Sequence, residues 1–245
     1  PYVSGDDLRF IDWNIYGRLD QLFLKLFLEE QDMTVNIAFD VSASQNYGDP
    51  PKEMYIKKLA AALAYISLIN NNRVTVTAFS DEIVGQMKNM RGRNYLSRMA
   101  DFMLNTPCQG GSDFDDVCRK LAAGRIGSGI MIFLSDFFFK EGFESSLKRL
   151  VSRNYDLYIM QVLSPQEIDP DISGDLKLVD IEDDDSAEIT VSGPLLKYYK
   201  KNLKADCNDL KNFCPKRGGK YVLAKTSSPV EKIIMNYLRR IQLIR

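Results

Sequence analysis

Short apolar runs alternate with helical stretches along most of this chain, and that alternation constrains its fold more than any other feature. Val35-Asn36-Ile37-Ala38-Phe39 reads as a buried strand within 33–40. Residues 52–70 follow, with Ile56, Leu59, Ala60, Leu63 and Ile66 at helical spacing. Residues 73–79 alternate as a second strand, 83–87 as a short edge strand, and 129–134 form a continuous apolar run suited to a central strand. Another strand is predicted over 155–163, and a short one over 220–223 after Gly218-Gly219. Helices are predicted over 94–104, 114–123, 144–152, 195–213 and 230–244, with Ser112 or Asp113 as the N-cap of the second. Strands separated by helices predict an α/β fold, a doubly wound, mostly parallel central sheet flanked by helices and Rossmann-like in plan. Residues 176–181 and 187–191 flank the acidic turn Glu182-Asp183-Asp184-Asp185 and predict a β-hairpin inserted at about 175–192.

With 245 residues and 45% hydrophobic content, the chain can bury a sizeable core. Residues 33–245 are expected to form that domain, with 1–32 as an N-terminal extension packed on it. Within the extension, 22–28 is read as an added strand and Trp13 as a packing anchor.

The sequence contains no histidine. This excludes Ser-His-Asp and Cys-His catalysis within the chain and every imidazole metal site. A metal here must sit on oxygen or sulfur. The four cysteines, Cys108, Cys118, Cys207 and Cys214, form no Cys-x-x-Cys pair and are too few for a disulfide scaffold. They are expected to be reduced thiols in a cytoplasmic protein. Basic and acidic residues balance, 32 against 33, which gives no general pull toward nucleic acid. No run reaches the roughly 18 apolar residues of a membrane span. The chain opens without Met at Pro1-Tyr2, as a fragment would, and a preceding membrane anchor stays compatible with that start.

The chemistry gathers at strand ends. The first strand ends in Asp40-Val41-Ser42-Ala43-Ser44, a carboxylate and two hydroxyls spaced two apart. A second central strand ends in Leu134-Ser135-Asp136-Phe137, and a Gly110-Gly111-Ser112-Asp113 loop lies between the two in sequence. In an open parallel sheet, ligands bind beyond the carboxyl ends of the strands. Singly, Asp and Ser after a strand are ordinary caps and turns. Together, Asp40, Ser42, Ser44, Ser112 and Asp136 offer hard oxygen ligands, the kind Mg²⁺ or Mn²⁺ prefers, with Ca²⁺ also admissible.

The Asp-x-Ser-x-Ser loop resembles the metal-ion-dependent adhesion site of the von Willebrand factor A fold. In that site a Thr stands on the second loop and an Asp on the third. Asp40, Ser42 and Ser44 match the first part and Asp136 the last, while Ser112 stands where Thr is usual. A narrower resemblance spans nearly the whole chain. Tyr2-x-x-Gly5-Asp6-Asp7-x-Arg9-x-Ile11-Asp12-Trp13-Asn14, the Asp40 loop, Leu134-Ser135-Asp136-Phe137 and Gln161-Val162-Leu163-x-Pro165-x-Glu167 resemble the bacterial domain-of-unknown-function family 58 (DUF58). Its members often occur beside MoxR-type AAA+ ATPases. The resemblance implies a non-enzymatic protein-interaction module whose partner supplies an acidic residue to the metal.

Other chemistries fit less well. A haloacid-dehalogenase-type phosphatase needs Asp-x-Asp, and Ser42 occupies the second position. No Gly-x-x-x-x-Gly-Lys-Ser/Thr, Gly-x-Gly-x-x-Gly or Gly-x-Ser-x-Gly motif is present. A metal-assisted hydrolase using the same oxygens, with Glu167 or Asp113 as base, is the enzymatic alternative. A scaffold with a degenerate site is the third. The Asp183–Asp185 turn and the basic face of Lys197, Lys200, Lys201 and Lys204 read as solvated surface.

Overall fold

The computed structural model describes residues 7–24, 33–124, 129–179 and 186–240. The chain divides into two compact units, Pro1–Asp32 and Met33–Arg245.

In the first unit, Asp12 caps helix α1 (Trp13–Leu19), its carboxylate accepting from the Asn14 and Ile15 amides. Ile11 bridges Leu24 antiparallel. Residues 25–28 of the strand predicted over 22–28 lie outside the described residues. Trp13 is not a packing anchor: it is 63% exposed, and its ring meets Tyr16 edge-on at 6.0 Å. The seven-residue helix that carries it buries no side chain.

The second unit is built on a six-stranded sheet. Strand β1 (Thr34–Asp40) leads through α2 (Lys52–Ile69) to β2 (Arg73–Phe79) and β3 (Ile83–Met90). Helices α3 (Leu96–Asn105) and α4 (Phe114–Ala123) precede β4 (Gly129–Ser135). Then come α5 (Glu144–Val151), β5 (Tyr155–Leu163) and the four-residue α6 (Pro165–Ile168). The inserted hairpin is β6 (Gly174–Val179) with β7 (Ser186–Val191), an antiparallel pair whose turn lies outside the described residues. Helix α7 (Gly193–Phe213), β8 (Lys220–Lys225) and α8 (Val230–Arg240) complete the unit.

The sheet order is β3-β2-β1-β4-β5-β8, parallel except for β3. This is the mostly parallel, helix-flanked sheet expected from the alternation of elements. Strand β3 pairs antiparallel at one edge with two register shifts, the irregularity that edge strands tolerate.

Side chains alternate between the faces of the sheet, as a two-residue repeat requires. Val35, Ile37 and Phe39 of β1 join Ile130, Ile132 and Leu134 of β4 in one core, against α2 and α3. Ala38, Met131 and Phe133 face the other way into a core built on α4, α5 and α7. That second core is aromatic-rich. Phe114 stacks on Phe139 at 4.3 Å and meets Phe133 and Phe137 edge-on.

Connections run outward in opposite directions from the β1–β4 pair, so the strand order reverses there. Such a reversal opens a crevice beyond the strand ends. Asp40 closes β1, and Asp136 follows the last residue of β4.

Candidate metal centre

Asp40 leaves the sheet and turns at once. Its Oδ1 accepts from the Ser42 amide at 2.9 Å, and its Oδ2 accepts from the Ser135 hydroxyl at 2.7 Å. The hydroxyl of Ser135 accepts in turn from the Phe137 amide at 3.0 Å. These bonds tie the end of β1 to the end of β4. Burial pushes the Asp40 carboxyl up to about 7, the nearby Asp136 charge adds to the shift, and the Ser135 and Ser42 bonds oppose it.

Phe137 has φ 62°, a left-handed backbone at a bulky residue. Its ring lies buried in the aromatic core, while the preceding Asp136 side chain stays in the crevice. Asp136 Oδ1 accepts from the Phe138 amide at 3.3 Å, and its backbone carbonyl accepts from Gln161 Nε2 at 2.8 Å. Gln161 Oε1 accepts from the Tyr221 hydroxyl at 2.8 Å, which carries the support across β5 to β8.

The first loop forms a 3-10 turn over Ala43–Asn46. Ser42 Oγ and Ser44 Oγ lie 2.9 Å apart. The second loop is stapled alongside by two backbone bonds, Ala43 N to Gly110 O at 2.9 Å and Gln109 N to Val41 O at 2.8 Å. Ser112, half-buried, follows that staple just before α4, and the Asp113 carboxylate caps the helix through the Asp116 amide. Asp40, Ser42, Ser44 and Asp136 are thus gathered at one sheet edge, and the Ser112 loop is fastened to them.

Two residues in the cluster went unassigned by the motif. Lys52 is 1% exposed, and its Nζ donates to Asp136 Oδ2 and Glu167 Oε1, each at 2.5 Å. Burial alone pulls its ammonium down, but the Asp136 and Glu167 charges outweigh that, and the net shift is upward. Gln45 is fully buried, and its Nε2 donates to Ser44 Oγ at 3.0 Å, Asp136 Oδ2 at 3.1 Å and Ser42 Oγ at 3.4 Å. A signal for Lys52 was present. A lysine in the first turn opposes the positive end of the helix dipole, so it needs a compensating partner. Gln45 carries no comparable signal.

Glu167 is held by a capping box on α6, its Oε2 accepting from the Ser164 amide at 2.7 Å and hydroxyl at 3.0 Å. Gly48, at φ 101°, lies so close that a Cβ there would stand 2.6 Å from Ser164 Cβ. Only glycine lets the first loop reach this box.

Among the described residues, no group of three or more Cys, Asp or Glu side chains has metal-holding spacing, so an ion at this edge would need hydroxyls for its remaining ligands. The charge nevertheless fits a divalent ion. Asp136 and Glu167 share one ammonium, Lys52, and Asp40 feels the Asp136 charge, so three carboxylates stand against one cation, an excess of two negative charges when all are ionised. Burial is the main cause of the raised Asp40 pKa, and the Asp136 charge adds to it. All four cysteines are free thiols, and none lies among these groups. Among the described residues, no helix is long and apolar enough to cross a membrane.

A family model described as "Protein of unknown function DUF58" matches residues 1–222. An uncharacterized protein of Mycobacterium tuberculosis is 22% identical over 187 residues, covering 74% of this chain. The chain spans 58% of that relative's length. Among solved structures, the conserved hypothetical protein BatB of Bacteroides thetaiotaomicron matches with TM-score 0.52 and 15% identity, over 86% of this chain and 100% of that one. The pilus adhesin SpaC of Lactobacillus rhamnosus GG matches with TM-score 0.54 and 11% identity, over 87% of this chain and 30% of that one. At these identities the likeness is one of fold. The fold is the von Willebrand factor A-like α/β sheet that the motifs implied.

Proposed function

The chain belongs to the DUF58 family, and on that premise we propose that it is a divalent-metal-dependent protein-interaction module. The observation that carries this reading is the pair of buried carboxylates, Asp40 and Asp136, at the sheet's reversal point with uncompensated negative charge around them. Asp40, Ser42, Ser44, Ser112 and Asp136 would hold Mg²⁺ or Mn²⁺, with Ca²⁺ as the looser fit. The ion supplies an electrophilic anchor for an acidic side chain of the partner. The chain's own residues do the rest. Ser135 and the Ser42 amide fix the Asp40 carboxylate, Gln161 fixes the loop bearing Asp136, and Glu167 shares the Lys52 ammonium with Asp136. Because two carboxylates about balance the ion, a third from outside still gains from meeting it.

Calorimetric titration with Mg²⁺ and Mn²⁺ tests the site on the parent protein and on Asp40→Ala. Heat from the parent alone supports the assignment, and equal heats from both sink it. The family resemblance points to a MoxR-type AAA+ ATPase as the partner. Co-sedimentation of the two purified proteins in Mg²⁺ and in chelator tests that. A complex of equal strength in both buffers removes the ion from the interface. The second reading, an ion-free scaffold, is favoured by the donors Lys52 and Gln45 already lying on the acceptor oxygens. It predicts no metal heat at all.

A further inference from the structure

We infer that the Gln45 side-chain amide is a resident stand-in for the cation, occupying its place in the metal-free crevice and competing with it. The inference rests on the metal reading above and concerns a residue outside its ligand set. Gln45 Nε2 lies where Ser42 Oγ, Ser44 Oγ and Asp136 Oδ2 converge, 3.4, 3.0 and 3.1 Å away. Three of the five candidate ligands therefore share one nitrogen. That nitrogen carries only two hydrogens, so the acceptors outnumber what it can donate.

The other end of the same amide is as informative. Gln45 Oε1 is buried with no hydrogen-bond partner among the described residues. Such groups are uncommon in folded proteins because the lost hydration is not replaced. Turning the amide over would not cure this. It would set Oε1 against the Asp136 carboxylate, oxygen against oxygen. The acceptor cluster thus dictates the orientation, and the amide tolerates an orphaned oxygen in order to put its donors among those three oxygens. A cation satisfies the same oxygens more strongly and needs the same space. Ion and amide exclude one another, and displacing the amide is a fixed charge against metal affinity.

Gln45 differs in this from Lys52. The Lys52 ammonium has a second anchor, Glu167, to retain it whether or not Asp136 turns to an ion. Among the described residues, Gln45 Nε2 donates only to Ser42, Ser44 and Asp136, all within the cluster.

The test is Mn²⁺ binding, read from the free-ion electron paramagnetic resonance signal, on the full chain as parent, Gln45→Met and Asp40→Asn. Met fills similar volume and donates nothing. Gln45→Met is expected to bind Mn²⁺ about tenfold more tightly, the worth of one to two net hydrogen bonds. Equal or weaker binding by a folded Gln45→Met overturns the inference, and weaker binding would make the amide oxygen a ligand. If the parent binds through Asp40 and Gln45→Met matches it, the metal-dependent function stands and this inference falls. If only Gln45→Met binds, the inference stands and the parent's metal dependence falls. Should Gln45→Met fail to fold, nitrogen-15 spectra of the parent decide. The Gln45 side-chain amide signals must shift, and their solvent exchange must speed up, on saturation with Mg²⁺. Unmoved signals at saturation overturn the inference.

Discussion

The crevice and the outer face of α7 both carry lysines paired with carboxylates, with opposite consequences. On α7, Lys197, Lys200, Lys201 and Lys204 are all exposed, and Lys200 pairs with Asp169 at the surface. Water already solvates both partners, so the pair adds little. In the crevice, Lys52 has almost no contact with solvent, and each of its two carboxylate partners is at least seven-eighths covered. There the partners replace water rather than supplement it. In sequence the α7 lysines form the louder cluster. What separates a site from a solvated face is whether the charges depend on one another, not how many there are.

The largest expected effect comes from breaking that dependence. Lys52→Met, measured by urea unfolding in chelator, should lose about 3–5 kcal/mol, because Asp136 and Glu167 are left facing each other without a cation. Adding Glu167→Gln should restore part of the loss. A Lys52→Met as mild as a surface substitution would erase the distinction between the two regions.

Next in size is the pH dependence contributed by Asp40 in metal-free protein. Its folded pKa of about 7 lies above the ordinary 3.8, so the folded state holds a proton that the unfolded chain has released between those values. The stability this group contributes is full below about pH 4 and is lost as pH rises through 7, a change on the order of a few kcal/mol. Unfolding midpoints of the parent should fall between pH 5 and pH 8, and Asp40→Asn should flatten that fall. An unchanged slope in Asp40→Asn would mean the carboxyl is not under the strain described.

Ser135→Ala should cost about 1–3 kcal/mol, since it strips a donor from Asp40 and an acceptor from the Phe137 amide, all buried. A loss below 0.5 kcal/mol would show that the strand ends are not held through this hydroxyl. The smallest effect belongs to the contrasting region. Lys200→Ala should change stability by about 0–1 kcal/mol at low salt and by less at high salt. A larger loss would promote that face from solvated surface to structural element.

How much of this was legible in the chain varies with the physics. The sheet was readable because its strands, buried on both faces, are continuous apolar runs such as Ile130-Met131-Ile132-Phe133-Leu134. The meeting of Asp40 and Asp136 at one sheet edge was readable for the same reason, since they interrupt two such runs where the strands end. Trp13 was misjudged because apolar bulk argues for burial only where a helix has a core to face, and α1 buries nothing. Gln45 and Lys52 were illegible in another way. Their roles come from contacts 84 to 115 residues away, to Asp136 and Glu167. Local spacing carries no trace of such contacts. The Lys52 position against its helix dipole hinted at a distant partner without naming it.

The left-handed turn at Phe137 has a bearing on how this fold can vary. Asn or Gly would fit the backbone there and forfeit the ring that locks the aromatic core. A β-branched residue would keep apolar bulk and be barred by the backbone. Asp136 is constrained by charge instead: both its oxygens accept, and Asn would turn an NH2 toward a donor and leave Lys52 with Glu167 alone. Adjacent positions are therefore narrowed by different physics, backbone and bulk at 137 and charge at 136, and mutational scanning should find both unforgiving, with Asn and Gly the mildest replacements at 137.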